Sequence, residues 1–161
     1  MNTTVVCPGS FDPLTLGHIN IIGRGLGIFD EVIVAVADNF SKKSLFTAEE
    51  RTEIIREVYR DEPRVVVESF QGLLVEYLKR KELDTILRGI RTVSDFEYEF
   101  QMALANKSLN DTVETIFMMT EGRYSHISSS IIKEVVILGG SVGEMVPPVV
   151  EERLREKLLR R

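Results

Sequence analysis

Five short apolar runs, each rich in β-branched residues and each followed by a stretch of helical periodicity, constrain this chain more than any other feature. The runs are "TTVVC" (Thr3 to Cys7), "EVIVAVA" (Glu31 to Ala37), "RVVVESF" (Arg64 to Phe70), "TILRG" (Thr85 to Gly89) and "ETIFMMT" (Glu114 to Thr120). Between them, apolar residues recur with the helical period over Ile19 to Phe29, Ala48 to Tyr59, Leu73 to Lys81 and Phe96 to Leu109. The runs are nearly continuous in hydrophobicity, as a strand must be when helices cover both faces of its sheet. The alternation predicts an α/β fold: an open five-stranded sheet, mostly parallel, with right-handed crossovers and helices on both faces. Two C-terminal helices follow the last strand. One is "SSSIIKEVVILGG", closed by Gly139-Gly140, and the other is "PPVVEERLREKLLRR", started by Pro147-Pro148. Thr47 and Glu50 in "FTAEE" have the spacing of a capping box, with Phe46 placed to staple the helix start, and Ser94-Asp95 precedes the run from Phe96.

Composition closes off several other classes. At 161 residues and 43% hydrophobic content, the chain fits a single domain over 1–161. A lone cysteine, Cys7, excludes an intrachain disulfide, and with only two histidines it argues against structural zinc. The apolar runs fall far short of the roughly 18 residues of a membrane span, and the N-terminus lacks the pattern of a signal segment, so a cytoplasmic protein without a membrane partner is expected. A net charge of −5 argues against a general nucleic-acid surface, although positive charge can still be focused in one cleft.

In a Rossmann-like sheet, ligands bind beyond the carboxyl ends of the strands where the strand order reverses. The loops that would meet there share one chemistry. "PGS" after the first strand turns the chain so that backbone amides and the Ser10 hydroxyl can face the crevice, and Gly17-His18 opens a helix whose N-terminus favours an anion and disfavours a protonated imidazole. "SKKSLFT" offers Lys42 and Lys43, and "RGIRT" places Arg88 and Arg91 around Gly89. Forked guanidinium donors suit phosphate oxygens, with ion pairs to Asp95, Glu97 or Glu99 as the plain structural alternative. "GRYSHISSS" brings Arg123, Ser125, His126 and Ser128 to Ser130 to the start of another helix, with Lys133 beyond. One of those serines is needed only as a cap. Together the loops predict a polyphosphate site. There is no nucleophile elbow, cysteine–histidine pair or acidic metal cage, so covalent catalysis has no evident agent. A phosphoryl or nucleotidyl transfer in which the substrate brings its own nucleophile needs only positioning and charge stabilisation.

The ordered set "PGSFDP", "TLGH", "SKK", "FTAEER", "LRGIR", "DFEYEFQMA" and "ISSSIIKEV" resembles the bacterial phosphopantetheine adenylyltransferase family. That family lies within the nucleotidyltransferase superfamily related to class I aminoacyl-tRNA synthetases, and the resemblance spans nearly the whole chain. Ser10 stands where threonine is common, Leu16 where asparagine is frequent, Tyr124 where tryptophan is frequent, and Cys7 at a position often aromatic.

The resemblance implies an enzyme of coenzyme A biosynthesis. It would transfer AMP from ATP to 4′-phosphopantetheine, giving dephospho-coenzyme A and pyrophosphate, with Mg2+, usually as a homohexamer, and with coenzyme A as a product-like ligand. Carried over by position, the resemblance makes Ser10, Lys42, Leu74 and Arg88 contacts of phosphopantetheine. Ser10, Phe11, His18, Gly89, Ile90, Arg91, Glu99, Tyr124, Ser125, His126, Ile127, Ser128, Ser129 and Ser130 become contacts of ATP. Its implied catalytic set is His18, stabilising the transition state, Lys42, orienting the attacking phosphate, and Arg91, holding the outer phosphates with Ser128 to Ser130. Metal ligands are not specified. A sister cytidylyltransferase acting on another small phosphate, a non-catalytic nucleotide-binding module of the same fold and a synthetase fragment stay open as alternatives.

Overall fold

The five apolar runs become the strands of one sheet. In the computed structural model, which describes residues 3–39 and 43–159, the chain runs β1 (Thr4–Gly9), α1 (Leu16–Gly25), β2 (Glu31–Ala37), α2 (Ala48–Val58), β3 (Val65–Phe70) and α3 (Leu74–Arg80). It continues through β4 (Thr85–Ile90), α4 (Val93–Leu109), β5 (Glu114–Met119), α5 (Ser129–Ile137) and α6 (Pro148–Leu159), with one 3-10 turn at Gly122–Tyr124. The strand order is β3-β2-β1-β4-β5, and every pairing is parallel. The chain winds outward from β1 to β3, crosses back to β4 and continues to β5, so the order reverses between β1 and β4.

Successive strand residues feed opposite faces. Val5, Val32, Val34 and Leu87 point into the larger core, formed with Ile21 and Ile22 of α1, Ile54 and Ile55 of α2, Ile132 and Val136 of α5, and Val150 and Leu154 of α6. Val6, Ile33 and Ile86 point the other way, against Val75, Tyr77 and Leu78 of α3. Each fully buried aliphatic side chain contributes about 1.5–3 kcal/mol. Val149 and Leu158 pack at the edge of the larger core, so α6 docks on its own chain, with Leu159 left exposed.

Two helices start three residues before their apolar periodicity. The first turn of α1 is capped by Thr15 and that of α4 by Thr92, whose side chain accepts from the Asp95 amide at 3.1 Å. Ser94 therefore lies inside α4 and is not its cap. The capping box of α2 forms as expected from Thr47 and Glu50. Its staple does not, because the partner position of Phe46 is Arg51, which binds the Phe46 carbonyl at 3.2 Å. Helix α4 differs from the others: none of its residues is buried, and Val93, Tyr98, Phe100, Met102 and Leu104 face outward. It meets β5 through Phe96, whose ring stands edge-on to Phe117 at 5.8 Å. Among the described residues, no helix is long and apolar enough to cross a membrane.

Candidate active site

At the reversal point, beyond the carboxyl ends of β1 and β4, lies a cavity of about 580 Å³. That size suits a nucleotide or cofactor-sized ligand. Ser10, Phe11, Asp12, Gly17 and His18 line it from the first loop, Lys43 and Ser44 from the second, Arg88, Gly89, Arg91, Asp95 and Glu99 from β4 and α4, and Ile127 to Ser130 with Lys133 from α5.

His18 is locked by its own helix start. Its backbone N–H donates to Thr15 Oγ1 at 3.2 Å, while its Nδ1 accepts the Thr15 backbone N–H at 3.0 Å. This is a capping box with histidine in the place usually taken by Glu or Gln. Because Nδ1 is an acceptor, the neutral ring must carry its proton on Nε2, which makes Nε2–H the donor available to a ligand. Burial, then the charges of Arg88 and Arg91, push the imidazole down to about 4, so it is neutral at physiological pH. Phe11, in the left-handed region at φ 49°, places its ring edge-on to His18 at 5.0 Å and braces the imidazole.

Both arginines have carboxylate partners. Arg88 makes a two-pronged pair with Glu99, with Nε to Oε2 at 2.7 Å, and also donates to the Pro8 carbonyl. Arg91 pairs with Asp95, Nε to Oδ2 at 2.9 Å, and donates to the Ile127 carbonyl at 2.6 Å. Burial alone would raise the Asp95 carboxyl, but the hydrogen bonds and charge of Arg91 bring it below the ordinary range. On α5, Ser128 serves as the cap, Ser129 donates to the Pro13 carbonyl at 3.1 Å, and Lys133 reaches Asp12 at 3.2 Å. Cys7 lies in the cavity wall, but burial pushes its thiol up to about 11, with the Arg88 charge only partly opposing, so it is no nucleophile.

Most of the residues predicted from the sequence are brought together here: Ser10, Phe11, His18, Arg88, Gly89, Arg91, Glu99, Ile127, Ser128, Ser129 and Ser130 all border the cavity. Lys42 lies outside the described residues, and its neighbour Lys43 borders the cavity. Other predicted residues do not border it. Leu74 packs at the edge of the smaller core on α3, Ile90 is buried in β4, and Ser125 folds back onto the Gly122 carbonyl at 2.8 Å. Tyr124 stands beside Gly17, outside the cavity lining, as is His126. Sequence reasoning gave no role to Thr15, Asp12 or Arg51. The Thr15 to His18 spacing carried a readable signal, that of a capping box.

The groups converge on what a transferring phosphate needs: a neutral N–H donor, two guanidinium groups paired with carboxylates and a serine-rich helix start. Comparison with known proteins agrees. Residues 6–135 match the family described as "Cytidylyltransferase-like". The chain is 55% identical over 152 residues to the phosphopantetheine adenylyltransferase of Caldanaerobacter subterraneus subsp. tengcongensis, covering 94% of this chain and 95% of that one. In fold it is similar to a crystal structure from Vibrio parahaemolyticus assigned as a nicotinate-nucleotide adenylyltransferase. The TM-score is 0.67 at 18% identity, with 96% of this chain and 99% of that chain covered.

Proposed function

The chain belongs to the cytidylyltransferase-like family and, within it, to the phosphopantetheine adenylyltransferases, and from this premise we propose how its cavity carries out the transfer. The enzyme joins the adenylyl group of ATP to 4′-phosphopantetheine, giving dephospho-coenzyme A and pyrophosphate. A phosphate oxygen of phosphopantetheine attacks the α-phosphorus in line. A new P–O bond forms as the bond from the α-phosphorus to the bridging oxygen breaks, and pyrophosphate leaves with that electron pair. The attacking phosphate is already ionised near neutral pH, so no general base is required. No covalent intermediate with the enzyme forms.

One observation carries this reading: His18 is a neutral imidazole with its proton directed to Nε2, in a cavity shared with Arg88, Arg91 and the start of α5. Nε2–H donates to an α-phosphate oxygen and strengthens that bond as charge moves in the transition state. Lys42 orients the attacking phosphate, with Ser10 and Arg88 on the same side and Leu74 along the pantetheine arm. Arg91 and Ser128 to Ser130 hold the outer phosphates, while Glu99 and the Tyr124 to Ile127 segment serve the nucleoside. Coenzyme A fits the acceptor side as a product-like ligand.

The described residues contain no cluster of three or more potential metal ligands, and Asp12, Asp95 and Glu99 are engaged by lysine or arginine. We therefore place magnesium with the substrate, entering on ATP with phosphate oxygens and water completing its shell. The outward apolar face of α4 supports self-association, and a cytoplasmic homohexamer built from one nucleotidyltransferase domain is the assembly we propose.

The test is pyrophosphate release with ATP and 4′-phosphopantetheine, the product identified by mass, with sedimentation reporting the assembly. Dephospho-coenzyme A is the expected product. Its absence, or turnover only with CTP and glycerol phosphate, would overturn the reading.

A further inference from the structure

Two buried charges beside the cavity take no part in the reaction just described. Asp12 is 7% exposed and Arg51 3% exposed. The Asp12 carboxylate accepts the Leu45 N–H at 2.9 Å, the Phe46 N–H at 3.0 Å and Lys133 Nζ at 3.2 Å. The Arg51 guanidinium is answered by carbonyl oxygens among the described residues: Ser10 at 2.6 Å, Ala37 at 3.0 Å, Phe46 at 3.2 Å and Thr47 at 3.3 Å.

The connectivity is what matters. Phe46 is gripped at its N–H by the anion and at its carbonyl by the cation. Arg51 also reaches the carbonyl at the end of β2 and that of Ser10, just past β1. The β2–α2 connection is therefore fastened at both ends to the Ser10–Asp12 turn, and through Lys133 to α5. Lys43 and Ser44, which border the cavity, directly precede the fastened residues. Removing charges from water without a strong reason is costly, and a loop needing only burial could be packed with apolar side chains. Charges held by backbone groups fix geometry instead.

We propose that Asp12 and Arg51 are positioning residues that clamp the stretch from Lys43 to Thr47, ahead of α2, to the β1 turn and thereby set the side of the crevice that Lys43 and Ser44 border. The proposal rests on the adenylyl-transfer reading above. Neither residue touches the reacting atoms. Weakening the clamp at Arg51, which leaves the Asp12–Lys133 tie to α5 in place, loosens the acceptor subsite, while the ATP groups of β4 and α5 are little affected.

The experiment is steady-state kinetics on Arg51→Lys, with KM for phosphopantetheine and for ATP measured separately and thermal melts run alongside. The expected result is a phosphopantetheine KM raised about tenfold or more, with the ATP KM within about twofold of wild type. Equal changes in both KM values, or unchanged KM values with a lowered melting temperature, would mean a purely structural role and overturn the proposal. Amide hydrogen exchange on the wild-type enzyme tests whether the clamp is preformed even if the variant fails to fold. Leu45 and Phe46 should be protected before phosphopantetheine is added; free exchange that stops only on its addition would overturn a preformed clamp. Wild-type turnover tests the underlying reaction separately, so a failed reaction and a failed clamp give different results.

Discussion

The two walls of the crevice hold their charges in opposite ways. On the β1–β2 wall, Arg51 is answered by backbone carbonyls and Asp12 by two backbone amides and a lysine. On the β4–α4 wall, Arg88 and Arg91 are held chiefly by the side chains of Glu99 and Asp95. A backbone partner cannot leave without undoing the fold, whereas a carboxylate on a helix can rotate away and be replaced by a phosphate of the same charge and similar fork geometry. One wall is a template and the other a place for exchange. His18 stands where they meet, with its hydrogen bonds made to the first wall and its low proton affinity set partly by the arginines of the second.

His18→Ala breaks the comparison at that meeting point and should have the largest effect. Turnover is expected to fall by ~10²–10³ with ATP binding near normal, read by single-turnover kinetics and calorimetry. Acid should act next. Because the folded imidazole titrates at about 4, below its ordinary 6.5, the unfolded chain binds the proton first. The His18 contribution is complete above pH 6.5 and is lost as pH falls toward 4. Partial solvent contact reduces the loss to about 2 kcal/mol, and denaturant melts of His18→Gln should lack this component of the slope.

Glu99→Gln sharpens the contrast on the exchangeable wall. It leaves the Arg88 guanidinium without its anion and should cost about 1.5 kcal/mol in the ligand-free enzyme, since the pair is partly screened. Added 4′-phosphopantetheine, whose phosphate meets Arg88, should then raise the melting temperature more than it does for wild type. A shift equal to that of wild type would mean that phosphate does not take the carboxylate's place. Asp95→Asn should be the mildest change, below about 1 kcal/mol by denaturant melt, because its pair with Arg91 is more exposed.

The strands were legible because β-branched apolar runs of this length have few other uses, and the loops were legible because their polar residues had to fall at strand ends. Helix starts were less so. The first turns of α1 and α4, where Gly17-His18 and Ser94-Asp95 interrupt the apolar period, are announced by Thr15 and Thr92. The ion pairs of Arg88 and Arg91 were visible as options, since Asp95 lies one helical turn beyond Arg91. The clamp was not visible. Arg51 carried no sequence signal, because its burial depends on carbonyls contributed by three separate segments. Nor could the pattern of α4 reveal that its apolar side chains turn away from the chain's own core, because periodicity reports a greasy face and not its neighbour.

Residue 89 has a mechanical consequence. A Cβ on Gly89 would come within 2.7 Å of Ile21 Cγ1, so the bare backbone there lets α1 seat directly on β4. Ile21 lies one helical turn from His18, and Gly89 adjoins Arg88. The missing carbon therefore acts as a gauge, fixing the gap between the imidazole donor and the guanidinium pair. A side chain at this position would have to displace Ile21, the residue one turn from His18, without touching a single reacting group.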